Sequence, residues 1–218
     1  MEQLRKNSLS LAIWSIIIPA AFTILALFSL SVFLPNSMIG NIKLFVTFLS
    51  CTEIPLAVFY FIFWFSFLDS LKNAYKDNNT MQIITTIGIV ATALKIACIT
   101  IGMFGSLIIA FADTRYSGTI NATGTGILPT GGVENVVHGL MYASMLLSAI
   151  MFLLFRELSE PKSEMRIITL LLVILIPVWG IADTNLKSPV WAIIQIFIVI
   201  LEFYFFWKIY KGFKFTGK

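Results

Sequence analysis

Residues 81–111 read MQIITTIGIVATALKIACITIGMFGSLIIAF, an unbroken apolar run with a single charge, Lys95, near its middle. A spanning helix needs about 20 such residues, so this run must tilt or project beyond the bilayer. Working outward, five more runs of comparable character occupy 11–34, 44–68, 133–155, 167–182 and 189–207. The chain is 58% hydrophobic and 12% charged, with a mean hydropathy of +0.92. A soluble domain would carry roughly a quarter charged residues. A transmembrane barrel would show short alternating strands, whereas these runs are continuously apolar. The expected fold is therefore an all-α integral membrane protein, a bundle of six transmembrane helices, with residues 1–218 as one membrane domain. The first run is too long for the 7–15-residue apolar centre of a secretory signal and reads as a retained span.

Charge sets the expected orientation. Arg5, Lys6, Lys72, Lys76, Arg156, Lys162, Arg166, Lys208, Lys211, Lys214 and Lys218 flank the runs on one side, and Lys43, Arg115 and Lys187 on the other. Cytoplasmic segments are enriched in Lys and Arg, which places both termini in the cytoplasm and requires an even number of spans. The net charge of +4 is thus an orientation signal. No basic run alternates with aromatics as a nucleic-acid surface would, so no nucleic acid is expected as a partner. Trp14, Trp64, Trp207 and Tyr210 fall near the inner boundary and Trp179 and Trp191 near the outer one, where amphipathic rings anchor. The dense aromatic runs at 59–67 and 203–207 read as lipid contact and anchoring, or alternatively as a wall for a flat apolar ligand.

Residues 112–132 form the one long connection. Gly118, Gly124, Gly126, Gly131, Gly132 and Pro129 lie among five threonines, so it is expected to be a mobile extracytoplasmic cover. Asn121-Ala122-Thr123 is a glycosylation sequon that has meaning only in a eukaryote. Ala-Asp-Thr occurs at both 112–114 and 182–184, placing Asp113 and Asp183 at equivalent outer ends. Ser188-Pro189 reads as an N-cap and a first-turn proline.

A charge at mid-bilayer costs at least about 2.5–3.5 kcal/mol on insertion scales. Three spans carry one: Glu53, Lys95 and Glu202. At about 1.5 Å per residue, Glu53 lies roughly 14 Å below the outer boundary, Glu202 roughly 20 Å and Lys95 roughly 18–24 Å. A buried Glu–Lys–Glu cluster follows, with Glu202 expected to pair with Lys95 and Glu53 to carry an exchangeable proton. Gly88, Ala91, Lys95, Cys98, Gly102 and Gly105 recur at helical spacing, a stripe of small residues that lets helices approach closely. Pro19, Pro55 and Pro177 interrupt three spans. The cluster reads either as an ion pair that fixes helix pairing or as a proton- or cation-binding site.

Asp113, His138 and Asp183, with Glu134, form a second polar set at the outer mouth. One histidine with carboxylates could hold a divalent metal or serve acid–base chemistry, but no catalytic motif accompanies it and a lone histidine is few for a metal site. Cys51 and Cys98 both lie within spans, and neither a disulfide, a metal nor a cofactor is implied. The leading expectation is a protein of the cell or plasma membrane that binds or moves a small solute, ion or lipid through a polar pocket. The first alternative is a non-catalytic scaffold or accessory subunit meeting a membrane-protein partner or a second copy of itself. The second is a membrane-embedded enzyme using the outer His/Asp set.

Overall fold

A computed structural model describes the backbone of residues 1–33, 38–111, 131–185 and 189–215, and the side chains of 1–21, 24–25, 55, 57–102, 135–180 and 193–215. The described residues form six helices: α1 (Glu2–Phe33), α2 (Met38–Ala74), α3 (Asn79–Phe111), α4 (Gly131–Glu157), α5 (Glu164–Asn185) and α6 (Pro189–Tyr210). Among the described residues, three helices are long and apolar enough to cross a membrane, over Asn79–Gly102, Asn135–Glu157 and Ile193–Tyr210. The helices reach past the apolar runs because their polar ends are also good helix formers. The segment from Glu2 to Ser10 belongs to α1, with Glu2 and Lys6 paired one turn apart at 2.8 Å. Helix α2 continues through Pro55, as α1 and α5 do through Pro19 and Pro177.

Each helix packs against the next in sequence, and α6 packs against α1, so the six close into a ring. Polar contacts tie several neighbouring pairs. Asn7 donates from Nδ2 to the Ser66 carbonyl (2.8 Å) between α1 and α2, and Arg5 donates from Nε to the Tyr210 carbonyl (2.8 Å) between α1 and α6. The Cys98 thiol donates to the Val137 carbonyl (3.4 Å) between α3 and α4. Lys208 and Glu164 form an ion pair between α5 and α6. The α2–α3 turn is closed at both ends. Asn78 Oδ1 accepts from the Met81 N–H (3.0 Å) as an N-cap, and Gln82 Nε2 donates to the carbonyls of Lys72 and Tyr75.

Alternate helices fill the centre of the ring with aromatic side chains. Trp64 and Phe67 come from α2, Phe152 and Phe155 from α4, and Phe205 and Phe206 from α6; all six are buried. Trp64 and Phe67 meet Phe206 edge-on at 5.2 and 5.1 Å, and Phe205 meets Phe152 and Phe155 at 5.4 and 5.2 Å. Such edge-to-face pairs add about 0.5–1.5 kcal/mol each beyond the area they bury. This corrects the expectation that the aromatic runs are chiefly lipid anchors. Phe59 and Tyr204 do point outward, but Trp64, Phe67, Phe205 and Phe206 point to the core. Both faces of these runs are apolar, so composition alone carries no information on which face turns inward.

Candidate functional site

Buried polarity in this bundle is mostly accounted for locally. The hydroxyls of Ser8, Ser15, Ser70, Thr85, Thr92, Ser144, Ser148 and Thr169 each donate to a carbonyl three or four residues back on their own helix, and Ser159, just past α4, donates to the Phe155 carbonyl. Glu202 is different. Among the described residues it is the one buried charged side chain, 8% exposed, on the inward face of α6 one turn above Phe205 and Phe206. An isolated carboxylate there would be costly, so its partners matter.

The Tyr60 hydroxyl, from α2 on the far side of the ring, donates to Glu202 Oε2 at 3.2 Å. Both residues line a cavity of about 10 Å³ shared with Lys95 from α3 and Ser148 from α4. That is about the room one water molecule requires. Lys95 is half-buried and acts electrostatically on Glu202, without closing to an ion pair within 4.0 Å. Thr92 and Ser148 also line the cavity, their protons committed to the Gly88 and Ser144 carbonyls, so their oxygens serve there as acceptors. Trp64 and Phe152 of the aromatic layer also line the cavity, so the two are in direct contact.

The close approach of α3 that brings Lys95 inward depends on its small residues. A Cβ on Gly88 would lie 2.7 Å from Leu68 Cδ2 and 2.9 Å from Met151 Sδ. Ala91, one turn before Lys95, is also buried. A Cβ at Gly102, farther along the stripe, would meet nothing within 4 Å.

Of the sequence-derived site residues, Lys95 and Glu202 are thus brought to one cavity, where the direct hydrogen-bond partner of Glu202 is Tyr60. The side chains of Glu53, Glu134 and Asp183 lie outside the described residues, as does all of Asp113. His138 is half-buried on α4, its ring edge-on to Tyr142 at 6.3 Å. No three His, Cys, Asp or Glu side chains come together in metal-binding fashion among the described residues. Tyr60 is the residue that sequence reasoning missed. Its hydroxyl was the available signal, since it is the one hydrogen-bonding group between Pro55 and Trp64.

Family models, curated proteins and solved structures were each compared with the chain, and none matches.

Proposed function

We propose that the chain is a six-span membrane protein with both termini cytoplasmic, and that Glu202, Tyr60 and Lys95 form a proton-binding site coupled to the passage of a small solute, ion or lipid. The carrying observation is the buried Glu202 carboxyl, held by the Tyr60 hydroxyl at 3.2 Å beside a water-sized cavity that Lys95 also lines. Intramembrane carboxylates that face a bundle interior are the usual groups of proton relays. The six-span reading is supported by large apolar side chains exposed on every helix: Ile16 on α1, Ile62 on α2, Ile89 on α3, Leu146 on α4, Ile174 on α5 and Ile196 on α6. In water such a surface would aggregate; against lipid it is at no disadvantage. The orientation rests on the eleven basic residues assigned to the cytoplasmic side.

The geometry favours a proton over a metal cation. A hard cation takes six or more oxygen ligands. Glu202, Tyr60, Thr92 and Ser148 together offer five, and Lys95 adds a like charge. A cavity of about 10 Å³ also excludes an organic solute, so a larger cargo would pass elsewhere or only after the ring opens. In this scheme Glu53 carries the second exchangeable proton, and Asp113, His138 and Asp183 form the outer mouth. The scaffold alternative would present the α3 stripe to a partner, yet Gly88 packs on Leu68 and Met151 of the same chain.

Infrared difference spectroscopy of the protein in lipid nanodiscs gives the test. A carboxylic-acid carbonyl band that titrates with pH should disappear in Glu202→Gln and shift in Tyr60→Phe. An identical titrating spectrum in Glu202→Gln would rule this residue out as the proton carrier.

A further inference from the structure

The end of the ring where α1 begins and α6 finishes is covered by the chain itself. Helix α6 stops in a defined way: the Gly212 N–H donates to the Ile209 carbonyl (3.0 Å) and the Phe213 N–H to the Lys208 carbonyl (3.1 Å). These paired bonds terminate a helix on a left-handed residue, and Gly212 has φ of +98°. The turn reverses the chain and sends residues 213–215 back across the ring's mouth. Phe213 is half-buried, Lys214 exposed and Phe215 buried at 5% exposure, the alternation of an extended segment with one face inward.

Phe215 is seated on the aromatic layer. Its ring lies 5.0 Å from Phe155, 6.5 Å from Phe205 and 6.2 Å from Tyr75. Its N–H donates to the Tyr75 hydroxyl at 3.2 Å. Burial keeps that hydroxyl protonated beyond the usual tyrosine range, the Phe215 N–H acting in the opposite direction. Beneath Phe215 come Phe155 and Phe205, then Phe152, which lines the Glu202 cavity. The order from solvent to cavity is therefore plug, aromatic layer, carboxyl. Among the described residues, one hydrogen bond to Tyr75 and ring contacts hold Phe215 in this seat, and ordering the segment is entropically opposed.

We infer that residues 211–215 are a detachable apolar plug, seated by the left-handed turn at Gly212, whose position decides whether water reaches the Glu202 cavity from this end. The inference rests on the proposed function only in taking that cavity as the place to be reached. Its test does not depend on Glu202 carrying a proton.

Met151 lines the cavity and is 3% exposed, so its oxidation by hydroxyl radicals reports water there. Gly212→Ala is a mild release variant, because an added Cβ would meet only Arg5 Nη2 at 3.9 Å and its effect comes through φ alone. Phe215→Asp is a stronger one, since a charge cannot stay in the aromatic seat. Full-length protein in nanodiscs should show Met151 oxidation rising about tenfold in Gly212→Ala and more in Phe215→Asp, with the Phe215 amide losing its exchange protection in both. Met151 oxidation at the wild-type rate after the tail amides have become unprotected would overturn the gate. A Phe215 amide still protected in Gly212→Ala would overturn the role given to the turn. Neither result bears on the infrared test of Glu202, so the two readings fail separately.

Discussion

At the scale of single residues, the molecule turns on one hydroxyl. Tyr60→Phe keeps the ring and its edge contact with Trp64 (6.4 Å) but removes the donor to Glu202. Leaving a buried acceptor without its partner costs about 1–3 kcal/mol, so thermal unfolding in nanodiscs should register a loss of that size. Tyr60→Trp, which restores bulk without placing an oxygen donor there, should not recover it. Lys95 and Glu202 were legible in the sequence because charge in an apolar run is conspicuous, and counting rise per residue placed them at one depth. Tyr60 was hidden because it sits between Phe59 and Phe61, and only the rotation of α2 decides which of the three rings faces inward. That rotation is fixed by partners on α6, which no local pattern encodes. The outer-mouth set reaches the structure through His138 alone, its companions lying outside the described side chains.

At the scale of elements, α3 differs between the two glycines described on it. At Gly88 it lies close enough to α2 and α4 that a Cβ would meet Leu68 and Met151, whereas a Cβ at Gly102 would meet nothing within 4 Å. Replacing Gly88 by Leu should overpack this junction and lower stability by about 1–3 kcal/mol. Gly102→Ala should be neutral or stabilising by up to about 1 kcal/mol, since helix propensity improves and no Cβ contact is forced. Comparing the unfolding midpoints of the two variants checks both, and equal losses would refute the division. The stripe itself was legible as a 3–4 spacing of small residues. Its change of character along the helix was not, because it depends on how far the neighbouring helices stand off. The helix ends were legible only in part: hydropathy marks where apolar character stops, whereas α1 begins earlier, at Glu2, where a charged pair sustains it.

At the scale of the whole molecule, six runs of apolar sequence gave six helices because length and composition suffice to mark each one. Their arrangement into a ring did not follow from the sequence, since every helix has apolar side chains on more than one face. What holds the ring's interior is contact between helices that are not ring neighbours, and Phe206 of α6 is its keystone, touching Trp64 and Phe67 of α2. Phe206→Ala should therefore cost about 3–5 kcal/mol, measured as a fall in unfolding midpoint, and should do so more severely than Phe59→Ala on the outer surface. A ring of sequential neighbours also has a consequence for biogenesis. Five of its six helix seams join segments adjacent in the chain, and such short-range contacts form quickly. The sixth, between α1 and α6, joins the first helix to the last. A nascent chain must therefore hold α1–α5 as an open horseshoe, its Trp64, Phe67, Phe152 and Phe155 awaiting their partners on α6, until that helix is made and shuts it.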